Sequence, residues 1–76
     1  MAYKTYEDIL NQLPNETAKN IESMSSTIDK YKRLGNFEKL VKEYKDTLRG
    51  YIVCLRDCGF LNDLDMRRLI TRYVQR

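Results

Sequence analysis

The sequence contains no histidine and no tryptophan, and it has only two cysteines, one proline and three isolated glycines. Histidine is the commonest general base and metal ligand, so its absence removes Ser-His and Cys-His catalysis and most zinc centres. Three separate glycines leave no Gly-rich loop of the kind that cradles phosphates. We therefore expect a protein that is not an enzyme and that has no cofactor and no metal site.

Long apolar runs are also missing. No segment approaches the roughly 20 residues that a membrane-spanning helix needs, and the first residues form no apolar signal-peptide block. Two cysteines are too few for a secreted disulfide scaffold, so Cys54 and Cys58 are predicted to be reduced, partly buried thiols. At 76 residues, 42% of them hydrophobic, the chain is expected to form a single cytoplasmic domain over residues 1–76.

Apolar residues recur at helical spacing in four segments that are separated by Pro14, Gly35 and Gly59. The pattern predicts helices over residues 5–13, 16–34, 37–58 and 63–75. Short loops make consecutive helices antiparallel, so the expected fold is all-α: a small antiparallel bundle of four helices with a short first helix. The pattern leaves open whether the first helix joins the bundle or lies across its end.

The third helix carries the clearest apolar stripe. Eight positions at steps of three and four are predicted to face the core: Phe37, Leu40, Val41, Tyr44, Leu48, Tyr51, Ile52 and Leu55. Val53 points away from this stripe and is predicted to be exposed.

Polar residues mark where the helices begin. Thr5 is predicted to form a capping box with the first helix's third residue, an aspartate. Asn15, Asn36 and Asn62 are predicted to cap the second, third and fourth helices.

Positive charge is concentrated at the C-terminus. Residues 1–65 contain ten Lys and Arg against eleven Asp and Glu, whereas the last eleven residues contain four arginines and no acid. These four, here called the arginine face, are Arg67, Arg68, Arg72 and Arg76. Like charges at a spacing of four cost a few tenths of a kcal/mol each, which favours an anionic partner as the reason for the pattern. Solubility alone is the competing explanation.

Two functions are consistent with this surface. The favoured one is binding to an acidic patch of another protein, which the chain regulates or inhibits, with Tyr3, Tyr6 and Val53 as further contact residues. The small size and the Lys-, Asn- and Tyr-rich composition suggest an accessory protein of a phage or mobile element. A homodimer is also compatible with so small a core.

Nucleic-acid binding is the alternative. Arginines could contact phosphates, and Lys39, Lys42 and Arg49 could extend the patch. Against it, Asp65 occupies a position where a helix-turn-helix has a buried aliphatic residue. Asp57 and Asp63 lie nearby, and all three carboxylates are expected to repel phosphates.

Overall fold

Four α-helices make up the computed structural model, which describes residues 4–75. They are α1 (Tyr6–Asn11), α2 (Asn15–Leu34), α3 (Glu38–Asp57) and α4 (Asp63–Tyr73). Each boundary lies within two residues of the predicted one, and no described residue forms a strand. The prediction of a small all-α bundle with a short first helix is confirmed.

The core is a single cluster to which every helix contributes. Helices α2 and α3 pack along each other, α4 packs on α3, and α1 contacts both α2 and α4. The first helix therefore joins the bundle. The buried apolar residues of the cluster are Ile9, Leu10, Leu13, Ile21, Ile28, Leu48, Ile52, Leu55, Leu61, Leu69 and Val74. Within residues 4–75, no helix is both long enough and apolar enough to cross a membrane.

The α3 stripe is buried at one end and open at the other. Leu48, Ile52 and Leu55 are buried, whereas Phe37 is 40% exposed, so its predicted place in the core is wrong. The reason is that only α2, α3 and the loop between them surround Phe37. The described residues measure 43 × 23 × 20 Å.

Two of the predicted caps are present. The Asp8 backbone N–H donates to Thr5 Oγ1 at 3.1 Å, and the Thr5 N–H donates to Asp8 Oδ2 at 3.0 Å, which completes the capping box. Hydrogen bonding to the Asp8 carboxylate, mainly from the Thr5 backbone N–H and then from the Thr5 side chain, lowers the pKa of this carboxyl. Asn62 Oδ1 accepts from the backbone N–H of Asp65 at 2.8 Å and caps α4.

The other two predicted caps are wrong. Pro14 is the N-cap of α2, and Asn15 is the first residue inside that helix. In the tight turn between α2 and α3, Gly35 and Asn36 both have positive φ, 75° and 60°. Asn is the residue besides Gly that most readily adopts this conformation, so Asn36 shapes the turn, and Phe37 becomes the N-cap.

Asp65 joins the N-terminal segment to α4. Its carboxylate is 3% exposed and forms an ion pair with Lys4, with 3.0 Å between Nζ and Oδ2. Gln12 Nε2 donates to the same oxygen at 3.3 Å, and Gln12 Oε1 accepts from Lys4 Nζ at 3.1 Å. A buried charge needs such partners to offset its desolvation, so these contacts fix how α1 sits on α4.

Candidate functional site

Two members of the arginine face converge on one aromatic ring. The guanidinium carbons of Arg68 and Arg72 lie 4.8 Å and 4.7 Å from the centre of the Tyr6 ring, which α1 supplies. Arg68 Nη1 also donates to the backbone carbonyl oxygen of Lys4, and Arg72 lies 5.8 Å from the ring centre of Tyr73. The packing of α1 against α4 thus holds both guanidiniums in place.

These contacts remove one argument for a partner. Cation–π contacts at exposed sites contribute about 0.5–1 kcal/mol, which exceeds the few tenths that repulsion between Arg68 and Arg72 costs. The expectation that the stripe is unfavourable in the unbound protein is therefore wrong for this pair, because Tyr6 lies against both cations. The position of Arg68 and Arg72 on one surface remains as an argument for a partner.

The remaining predicted contact residues have different surroundings. Arg67 is exposed on α4. Arg76 and Tyr3 lie outside the described residues. Val53 is half-buried rather than exposed, because α3 is flanked by α2 on one side and α4 on another, so more than a single stripe is covered. No contact described for residues 4–75 joins Val53 to the arginine face.

The basic residues of α3 that were expected to extend the arginine face have their own surroundings. Arg49 pairs with Asp46 at 3.7 Å, and Lys42 lines a groove beside Phe37 near the start of the helix. Lys39 lines a neighbouring hollow. These three cations lie on α3, whereas the described members of the arginine face lie on α4.

The acids near the start of α4 are largely engaged. Arg56 pairs with Asp57 at 2.9 Å and with Asp63 at 3.0 Å, and its hydrogen bond to Asp63 is the main cause of a raised pKa for the guanidinium. Asp65 is buried against Lys4. The repulsion that these three carboxylates were expected to exert on phosphates is therefore reduced.

The two cysteines are free and exposed, not partly buried as predicted. Both lie at the C-terminal end of α3 on its solvent-exposed side, whereas the neighbouring Leu55 is buried in the core. A hydrogen bond with Cys54 and repulsion from it raise the pKa of the Cys58 thiol. The thiolate is the reactive form, so a raised pKa predicts slower reaction of Cys58 at neutral pH.

Replacement of Cys54 by Ala should therefore lower the pKa of Cys58. We expect iodoacetamide at mildly alkaline pH to alkylate Cys58 at least about twofold faster in Cys54→Ala than in the parent protein. Mass spectrometry of timed samples measures both rates, and Cys58→Ala controls for the reactivity of Cys54. An unchanged or slower rate at Cys58 would contradict the predicted effect of Cys54.

A groove at the end of the α2–α3 hairpin was not predicted. It has a volume of about 460 Å³ and is lined mainly by Tyr31, Phe37, Val41, Lys32, Lys42 and Lys45, and it is here called the hairpin groove. Tyr31 makes an edge contact with Phe37 at 5.2 Å between ring centres. The sequence signal that could have found it is an apolar stripe that continues to the tight Gly35 turn.

Comparisons of the chain with family models, with curated proteins and with solved structures found no match. Within residues 4–75, no three side chains among His, Cys, Asp and Glu are grouped so that they could hold a metal ion. Function is therefore inferred from the arginine face and the hairpin groove.

Proposed function

We propose that this chain is a non-enzymatic helical protein that binds an acidic patch of another protein through the arginine face and thereby regulates or inhibits it. The observation that carries the proposal is the placement of Arg68 and Arg72 over the Tyr6 ring, with Arg68 also bonded to the Lys4 carbonyl. The exposed Arg67 lies on the same helix.

Preorganisation is the physical reason that this arrangement favours binding. A long side chain loses about 0.5–1.5 kcal/mol of conformational freedom when a partner immobilises it. Contacts with Tyr6 restrict Arg68 and Arg72 before any partner arrives, so less of that cost remains. Arginine and tyrosine are also the residues most enriched among energetically dominant interface positions, because both combine flat apolar area with hydrogen-bonding groups.

The proposal extends to the setting of the protein. Two exposed free thiols suit the cytoplasm, where thiols stay reduced, and we place the protein there. Small size and a Lys-, Asn- and Tyr-rich composition are the support for an accessory role in a phage or mobile element.

Nucleic-acid binding is the second candidate, and one observation favours it. Arg56 engages both Asp57 and Asp63, so two of the acids beside α4 repel phosphates less than their number suggests. Against it, the start of α4 is fixed by the buried Asp65 and by its contacts with Lys4 and Gln12. Asp65 is held by these contacts and is not available to read bases in a major groove.

Affinity purification separates the two candidates. The tagged protein is expected to recover a specific protein at about 0.15 M salt, and nuclease treatment of the lysate is expected to leave that protein bound. Association that nuclease abolishes, and that weakens steeply with salt in proportion to the phosphates contacted, would replace the proposal with nucleic-acid binding. Recovery of no specific protein would contradict the proposal directly.

A further inference from the structure

The hairpin groove exposes apolar side chains that the core does not need. Phe37 lines the groove and is 40% exposed, and Leu34, which precedes the lining residue Gly35 in the chain, is 59% exposed. Inside the groove, Tyr31 packs edge-on against Phe37 and stacks on Tyr44, with 5.8 Å between the two tyrosine ring centres. Side chains fixed against each other in this way form a firm apolar floor that is open to solvent.

Positive charge surrounds that floor. Lys32 comes from α2, and Lys42 and Lys45 come from α3, whereas Glu38 is the acidic residue among the lining side chains. The pKa of Lys45 is lowered, mainly by burial. The charge of Lys32, a hydrogen bond with Lys32 and the charge of Arg49 lower it further. Three lysines from two helices thus line this groove, and their charge favours an anionic ligand.

We propose that the hairpin groove is a second docking surface, which binds an acidic segment of another protein by seating one of its large apolar side chains against Phe37. A groove of about 460 Å³ has the size of sites that enclose a compact group. The surrounding lysines select acidic residues on either side of the seated side chain, as charge complementarity does at other interfaces. This surface does not depend on the arginine face.

Two other occupants of the groove are disfavoured, namely a second copy of this chain and a nucleic acid. A second copy of this chain related by twofold symmetry would bring the same lysines, Lys32, Lys42 and Lys45, close to their own equivalents. A nucleic acid would stack its bases on ring faces, but the Tyr31 and Tyr44 faces already stack on each other.

Selection from a random-peptide phage library tests the proposal without a known partner. The full chain is immobilised at about 0.15 M salt, and phages that bind the variant Phe37→Ala are removed first. We expect the surviving peptides to be enriched in Asp and Glu around a Phe, Trp or Leu.

Three variants then locate the binding of a selected, fluorescein-labelled peptide. Phe37→Ala removes the apolar contact, and Lys42→Glu reverses one charge of the groove. Lys30→Glu makes the same charge change at an exposed position of α2 that does not line the groove. Because all three residues are exposed, each variant should keep the helical circular dichroism spectrum. We expect the first two to weaken binding at least tenfold and Lys30→Glu to change it less than about twofold.

Other outcomes overturn the proposal. These are no enrichment of acidic peptides, equal loss in Lys30→Glu, or tighter binding of a single-stranded oligonucleotide that Phe37→Ala abolishes. Self-association in sedimentation equilibrium that Phe37→Ala removes would assign the groove to a second copy of this chain.

Discussion

Replacement of Leu48 by Ala is expected to lower the free energy of unfolding by about 2–5 kcal/mol. Leu48 is fully buried in the middle of α3, between the surfaces that pack on α2 and α4. Truncation removes apolar contacts and leaves a cavity that three packed helices cannot fill. Small domains have a total stability of about 5–15 kcal/mol, so this loss is a large share of it.

The matched control is Leu64→Ala. It removes the same atoms from a helix, but Leu64 is 65% exposed, so the change should stay within about 0.5 kcal/mol. Urea unfolding followed by far-UV circular dichroism measures both variants. Equal losses in the two variants would mean that the packing of α3 described above is wrong.

Replacement of Lys4 by Met is expected to lower the free energy of unfolding by about 1–3 kcal/mol, the second largest of the predicted effects. Asp65 is 3% exposed and would lose the cation 3.0 Å away. Removal of one partner from a buried pair can cost more than this. The Lys4 side chain is 39% exposed, however, and Gln12 still donates to the carboxylate, so the loss is smaller here.

A double-mutant cycle distinguishes the ion pair from lost packing. In the Asp65→Asn background the carboxylate charge is already gone, so Lys4→Met should cost clearly less than it does in the parent protein. Lys19→Met, at an exposed position of α2, should change the stability by less than about 0.5 kcal/mol. The same cost in both backgrounds would show that the Lys4–Asp65 contact contributes nothing.

Local signals explain how much of the fold could be predicted. Helix periodicity, the Thr5 capping box and the Asn62 cap depend on residues within a few positions of each other, and the structure contains all of them. Asn36 was misjudged because two local roles compete at one residue. A cap and a left-handed turn both favour asparagine, and the tight connection between α2 and α3 needs the turn.

The surroundings of the candidate site depend on contacts between distant residues. A helical wheel places Arg68 and Arg72 on one face, but it contains no information about Tyr6, which α1 brings against them. Lys4 and Asp65 are 61 positions apart, and nothing near either residue indicates their pairing. The hairpin groove was missed because the spacing of Phe37 continues the core stripe, whereas the neighbouring helices that would cover it end earlier.

The affinity of the recovered partner for an altered arginine face tests the proposed function most directly. Arg67→Glu combined with Arg72→Glu reverses two exposed charges and keeps Arg68 on the Lys4 carbonyl. Lys19→Glu combined with Lys30→Glu makes the same charge change at exposed positions of α2. We expect the arginine variant, folded by circular dichroism, to bind at least tenfold more weakly, about 1.4 kcal/mol, and the lysine variant to bind within about twofold of the parent. Equal affinities for the folded arginine variant and the parent would show that the partner binds elsewhere and would contradict the proposed role of the arginine face.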